Sequence, residues 1–209
     1  MAKLFLSIFL VLAVCMFFCN CKSKPNLQSN KDSIEFIKRV KQKKLSDTNS
    51  IEYVKQCVEF IKQVKHRELS DTNFILVDKP SWLHYLNCIN SVLADTAIFT
   101  KEELNFIKNK EFVSISKWTK EMFPNIKIIS SDTLATIFAS DSDGWNYFYK
   151  NIGEGFCTFS IPIFLRNNTY CLFYFDEHCG SLCGGGSLDL YKKENGKWVI
   201  IKSYCSWVS

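Results

Sequence analysis

The stretch from His178 to Gly186 holds the residues whose types could do chemistry. It contains a histidine, two cysteines at positions 179 and 183, and three consecutive glycines. Thiols and an imidazole this close in sequence are typical of four kinds of site: a redox pair, a metal centre, a nucleophile with its base, and a structural disulfide. Each kind requires a particular spacing, so the spacing helps to separate them.

A redox pair and a metal centre both fit the spacing poorly. Thioredoxin-like proteins use Cys-x-x-Cys in a βαβ context, whereas three residues separate Cys179 from Cys183. A metal could take His178 and the two cysteines, with Asp176 or Glu177 as a fourth ligand. Adjacent residues on a strand point to opposite faces, however, so His178 and Cys179 would not face one ion. We therefore predict no metal site and no cofactor.

A nucleophile and a disulfide remain as readings of the same stretch. Cys183 precedes Gly184 to Gly186, whose backbone amides could stabilise an oxyanion, and His178 is a candidate base. A bridge between neighbouring cysteines is the commoner outcome in an oxidising compartment. We therefore predict a disulfide between Cys179 and Cys183, and we keep a small enzyme with a Cys183/His178 site as the alternative.

The elements around this stretch have strand character. Arg166 to Thr169 is a turn signal, and Asn195-Gly196 is the strongest short hairpin signal. Sequential strands joined by short turns predict an antiparallel meander of roughly four strands. The four predicted strands are residues 156–165, 170–177, 187–192 and 197–204.

The preceding residues have helical character. Ser81 comes before an apolar run with helical spacing, and Thr100 with Glu103 forms a capping box for a helix that ends near Asn109. Helices followed by an antiparallel sheet make an α+β domain, which we place at residues 74–209. Shorter helices are predicted at residues 116–122, 133–138 and 145–150, with a strand at 126–129.

The C-terminal third carries a recognisable order of motifs. A Trp145-Asn-Tyr-Phe-Tyr helix precedes Ser160-Ile-Pro-Ile-Phe, then Cys179-Gly-Ser-Leu-Cys-Gly, and finally Asn195-Gly-Lys-Trp. This order resembles a group of uncharacterised exported proteins of Bacteroidetes-type bacteria. The resemblance covers roughly residues 143–209. The group has no assigned activity, so the resemblance implies fold and compartment only.

The N-terminus reads as a leader. Lys3 is followed by an uncharged, largely apolar run from Leu4 to Phe18 of about 15 residues, a length typical of a signal peptide and short of the roughly 20 residues that a membrane-spanning helix needs. We predict a signal peptide over residues 1–20. Cys21, followed by Lys22-Ser23-Lys24, resembles the acylated cysteine of a lipoprotein, so we expect export and a lipid anchor on the cell envelope. A cleaved signal with incidental cysteines is the alternative.

Residues 21–73 contain a tandem duplication. The segment from Ser33 to Asn49 returns 24 positions later, with Phe36, Ile37 and Val40 repeated in the second copy. Each copy reads as a short amphipathic basic helix followed by a Ser-Asp-Thr-Asn turn. Such helices could lie on anionic lipid, or they could be solvated helices that serve as a spacer or pack on the main domain.

The positions of the basic and acidic residues limit the classes of function. Between Lys22 and Leu69 there are twelve Lys and Arg and six Asp and Glu, whereas beyond Leu69 there are thirteen basic and fifteen acidic residues. The domain is therefore mildly acidic, and we expect no nucleic-acid partner. Without a catalytic constellation, we expect a binding or interaction module of the envelope, with an envelope protein or a small ligand as its partner.

Overall fold

Strand-forming residues first appear at Phe74, directly after the second copy of the repeat. In a computed structural model of the chain, the described residues are 50–71, 73–81, 83–109, 115–139 and 144–209. The signal peptide, Cys21 and the first copy of the repeat lie outside the described residues. None of the helices in the described ranges has the length and apolar character to span a bilayer.

Seven strands in the described part of the chain form one mixed sheet. Its order is β2-β1-β3-β5-β6-β7, and β4 pairs with β5 beside β3. The first strand runs parallel to both of its neighbours, and all other pairs are antiparallel. The strands are β1 (Phe74–Val77), β2 (Lys127–Ile129), β3 (Gly155–Phe159), β4 (Ile163–Leu165), β5 (Tyr170–Gly180), β6 (Cys183–Glu194) and β7 (Lys197–Val208).

The α+β class agrees with this sheet, but the predicted four-stranded antiparallel meander is wrong. The consecutive strands β5, β6 and β7 do form an antiparallel meander. The hairpin expected at Asn195-Gly196 is confirmed, and these two residues have positive φ values of 51° and 81°. Strand β1 was missed because its four residues are all apolar and lack the alternation that marks a half-exposed strand. The predicted strand 156–165 is instead split around Ser160 to Pro162, since proline has no amide to donate.

Six helical segments in the described ranges accompany the sheet. The predicted capping box of the helix Lys101–Asn109 is confirmed. The Thr100 amide donates to the Glu103 carboxylate at 2.9 Å, and the Glu103 amide donates to the Thr100 hydroxyl at 3.2 Å. The predicted helix at 116–122 is wrong, because the Trp118 amide instead donates to the Asp78 carbonyl at 2.6 Å. The helices are α1 (50–64), α2 (His66–Ser70), α3 (Leu83–Leu93), α4 (Lys101–Asn109), α5 (Ser131–Phe138) and α6 (Gly144–Asn151).

One face of the sheet packs against α1. Phe60 is 2% exposed and makes edge contacts with four rings at centroid distances of 5.1–5.8 Å. Cys57 and Ile61 beside it are fully buried. The sequence places these residues in the basic duplicated segment, and in the structure their apolar face is covered by the sheet, so it is not available to a lipid surface. The four rings belong to Phe164, Phe173, Tyr191 and Trp198.

The opposite face is divided between two apolar clusters. Helices α3 and α4 contribute Val92 and Ile107 to a cluster with Leu172 and Leu190 of the meander. Helices α5 and α6 cover β1 to β3, where Phe148 is fully buried. Alternating residues of β5 supply the two faces, as expected for a strand buried on both sides.

Two disulfides are present among the described residues. One joins Cys179 to Cys183, and the other joins Cys88 of α3 to Cys205 of β7 across 117 positions. The remaining described cysteines, Cys57, Cys157 and Cys171, are buried free thiols. Persistent disulfides are typical of oxidising compartments, which is consistent with an exported domain.

Candidate functional site

The hairpin between β5 and β6 carries the residues that the sequence singled out. His178 pairs with Gly184 and Gly180 pairs with Cys183, and the register shifts between His178 and Gly180. The Cys179–Cys183 disulfide closes the hairpin end, with 4.9 Å between the two Cα atoms. The two sulfur atoms are therefore bonded to each other, and neither is a thiolate.

His178 lies beside this bridge in an aromatic setting. Its ring stacks on Phe156 at a centroid distance of 4.9 Å and faces Trp207 at 5.3 Å. Its Nε2 atom is 3.8 Å from the Asp176 carboxylate, and 28% of its side chain is exposed. The structure thus gives His178 an acidic neighbour two residues earlier on the same strand face, while the cysteine that could have been its nucleophile is bridged.

Asp176 is the buried polar centre of this region. Its side chain is 1% exposed, and it accepts a hydrogen bond from the Thr158 hydroxyl on the neighbouring strand. Near it, the Trp207 indole donates to the Tyr174 hydroxyl at 3.0 Å, and burial raises the pKa of that phenol. Since a buried carboxylate needs donors to offset lost hydration, this network holds the centre of the sheet in one arrangement.

Gly186 is required where Trp207 crosses this network. A Cβ atom at that position would lie 2.6 Å from the Trp207 indole nitrogen and 2.7 Å from the Asp176 Cβ. The last glycine of the run therefore allows the close approach of the Trp207 and Asp176 side chains. Thr158, Tyr174 and Trp207 were not predicted from the sequence, although Tyr174, Asp176 and His178 do follow the two-residue period of one strand face.

Metal ligation finds no support among the described residues. No three histidine, cysteine, aspartate or glutamate side chains in the described ranges come together in a way that could hold an ion. The ligands considered for a metal were His178, Cys179 and Cys183. Two of them, Cys179 and Cys183, are joined in the disulfide.

The outer surface of the hairpin end is apolar. Leu182, in the two-residue turn inside the bridge, is 87% exposed. Tyr149 of α6 is 48% exposed, and its hydroxyl donates to the Cys179 carbonyl at 2.7 Å. We call Tyr149, Leu182 and the Cys179–Cys183 bridge the hairpin-end surface.

Helix α6 fixes Tyr149 in that surface. Trp145 stacks on Tyr149 at a centroid distance of 5.6 Å and on Phe156 of β3 at 5.7 Å. The tyrosine is therefore supported by the core on one side and hydrogen-bonded to the hairpin on the other. The resulting surface is rigid for three reasons: the disulfide, the sheet pairing and the aromatic stack.

Two clefts flank α1, each with a volume of about 310 Å³. One lies between α1 and residues 123–126, and the other lies beside Trp198. Neither is lined by His178 or by the bridged cysteines. The residues that the sequence singled out therefore lie at the end of the β5–β6 hairpin and do not line these clefts.

Comparisons with protein-family models, with curated proteins and with solved structures find no match to this chain.

Proposed function

We propose that the chain is an exported, lipid-anchored bacterial envelope protein that binds a protein partner through its hairpin-end surface. The observation that carries this proposal is the exposure of Leu182 and Tyr149 beside a disulfide-closed turn. Exposed apolar side chains held rigidly are typical of interaction surfaces, because little conformational entropy is lost on binding. Small-molecule sites are concave, and neither of the two clefts beside α1 is lined by these residues, which favours a protein partner.

The alternative of an enzyme with a Cys183/His178 site requires a thiolate at Cys183. The bridge to Cys179 consumes that thiol, so catalysis would need the bridge to be reduced first. The same bridge stabilises the turn that presents Leu182. We therefore favour binding over catalysis at this end of the sheet.

Site-specific photocrosslinking in the native envelope tests the binding proposal. A photoreactive residue at Leu182 should give a discrete adduct with an envelope protein, and the same residue at Ile51, which is 71% exposed on α1, should not. Adding Cys179→Ser/Cys183→Ser should weaken the adduct at 182, because the turn loses its closure. The absence of an adduct at 182, or equal adducts at 182 and 51, would contradict the proposal.

The anchor is tested separately. Lipidation at Cys21 predicts partitioning into detergent and an acyl mass on the N-terminal peptide, both of which Cys21→Ala should remove. A parent protein that carries no acyl mass would contradict the anchor and leave the binding surface untouched. The resemblance to exported Bacteroidetes-type proteins supports this part of the proposal, together with the charge pattern of the leader.

A further inference from the structure

The two copies of the repeat can be compared residue by residue, since the structure shows what the second copy does. Residues 33–49 and 57–73 are identical at eleven of seventeen positions. The identical positions include the counterparts of Phe60, Ile61, Val64 and Leu69, which are among the residues that pack from α1 and α2 onto the sheet. The first copy therefore repeats these packing side chains at the same spacing.

Phe60 and Ile61 make the central contacts of the second copy. Phe60 is 2% exposed inside its group of four rings, and Ile61 is fully buried. Their counterparts Phe36 and Ile37 are the same residue types. A helix formed by the first copy would present the same two side chains to the same rings, because helical spacing depends only on the separation in sequence.

Lys65 makes the polar contact that accompanies this packing. Its ammonium lies 3.4 Å above the centroid of the Phe175 ring, and 13% of its side chain is exposed. Its counterpart in the first copy is Lys41. The identical residues thus include the cation that covers Phe175 as well as the apolar side chains.

The connection to the sheet is also repeated. Asn73 ends the second copy and directly precedes Phe74, the first residue of β1. Asn49 is its counterpart, and exactly one period of 24 residues separates the two. Removing residues 50–73 would join Asn49 to Phe74 and present the first copy to β1 in the same register.

We propose that the sheet face beneath α1 is a docking surface with two possible occupants from the same chain. The second copy is the occupant in the structure. Residues 33–49 bind to the same sheet face when the second copy is deleted or when a substitution prevents it from packing. This inference concerns the core of the domain and does not depend on the hairpin-end surface.

Three differences make the second copy the preferred occupant. Glu68 lies 3.6 Å from the Lys65 ammonium. In the first copy the corresponding residues are Lys44 and Lys41, which would repel each other. Cys57 is fully buried, and its counterpart Ser33 would bring a hydroxyl into the same apolar place. The Tyr53 hydroxyl donates to the Pro162 carbonyl at 2.6 Å, and the residue 24 positions earlier is Ser29.

A deletion tests whether the surface accepts the first copy. The full chain without residues 50–73 should unfold cooperatively on heating, at a lower midpoint than the parent, and should keep Cys157 and Cys171 protected from alkylation. Adding Phe36→Asp to this deletion should abolish the transition and expose both thiols. The matched control, deletion of residues 26–49, should behave like the parent. Loss of the cooperative transition in the 50–73 deletion alone would overturn the proposal.

A substitution tests exchange in the undeleted chain, with alkylation mapped by mass spectrometry. Phe60→Asp should make Cys57 reactive, because α1 leaves the sheet, while Cys157 and Cys171 stay protected by the first copy. In Phe36→Asp/Phe60→Asp all three thiols should react. Exposure of Cys171 in the single variant to the level of the double variant would overturn exchange, and so would continued protection of Cys57.

Discussion

Cys88 in α3 and Cys205 in β7 are joined by a disulfide although 117 positions separate them in the chain. Strand β7 is an edge strand of the sheet, and α3 belongs to the layer that covers one face. The bridge therefore fastens the edge of the sheet to a helix near the start of the domain. The Lys202 ammonium and the Tyr204 hydroxyl reinforce this link through hydrogen bonds to Asp95.

The two disulfides should differ in their effect on stability. A bridge that closes a loop of more than one hundred residues stabilises by about 4–5 kcal/mol in the chain-entropy model, and one that closes a loop of a few residues by about 2 kcal/mol. We expect Cys88→Ser/Cys205→Ser to lower the free energy of unfolding more than Cys179→Ser/Cys183→Ser does. Urea unfolding of the two double variants measures the difference, and equal losses would contradict the expectation.

Helix α6 offers an adjacent pair of aromatic residues with opposite exposure. Phe148 is fully buried in the cluster over β1 and β3, whereas Tyr147 is 50% exposed. Phe148→Ala should cost about 3–5 kcal/mol through lost burial and a cavity, while Tyr147→Ala should stay within about 0.5 kcal/mol. Thermal and urea unfolding test both variants, and a similar loss in the two would show that α6 does not pack as described.

Acid should remove the contribution of Asp78. Burial alone would raise the pKa of this carboxyl, but hydrogen bonds from the Lys117 ammonium at 2.7 Å and the Ser131 amide at 2.8 Å outweigh it and hold the pKa below its usual range. A carboxyl with a lowered pKa stabilises the fold above its unfolded pKa of about 3.9, and that contribution is lost as pH falls through the folded value.

Asp78→Asn isolates this effect. At pH 7 the variant should be less stable than the parent by about 1.5–3 kcal/mol, the range for a hydrogen bond to a charged group. Towards pH 3 and below the gap should shrink, because the parent carboxyl takes up a proton. Lys117→Met should show the same trend. A gap that stays constant from pH 7 to pH 2 in urea titrations would refute the role given to Asp78.

The three free thiols should be inert in the folded protein. Burial raises the pKa of Cys57, Cys157 and Cys171, so almost no thiolate is present at pH 8. Iodoacetamide should label none of the three without denaturant and all of them in 6 M guanidinium. After mild reduction Cys183, which is exposed, should be labelled before Cys88. Labelling of Cys171 in native protein would contradict the packing of α1.

Local sequence signals predicted the elements that have strong local chemistry. The Thr100/Glu103 box and the Asn195-Gly196 turn each satisfy their own backbone, so their geometry follows from a few neighbouring residues. Strand β1 could not be predicted in this way, because a short buried strand is defined by its partners β2 and β3 rather than by alternation. Strand β1 and its parallel pairing were therefore not predicted, although strands at residues 126–129 and 156–165 were.

The candidate site shows the same difference between features set by neighbouring residues and features set by residues distant in the sequence. The bridged pair lies four positions apart, and its neighbourhood is visible in the sequence. The contacts of Asp176 with Thr158, and of Trp207 with Tyr174, connect different strands through pairing registers that no single segment encodes. The Cys88–Cys205 bridge was equally hidden, because cysteine spacing alone does not determine connectivity.

The distribution of sulfur over the sheet has a consequence for how the protein matures. All three free thiols belong to the cluster beneath α1, while Cys88 and Cys205 belong to the cluster on the other face. In an oxidising compartment the sheet therefore separates the bridged cysteines Cys88 and Cys205 on one face from the reduced thiols on the other. The thiols on the α1 face stay reduced only while α1 covers them, so α1 must pack on the sheet before the oxidant that forms the Cys88–Cys205 bridge reaches these thiols.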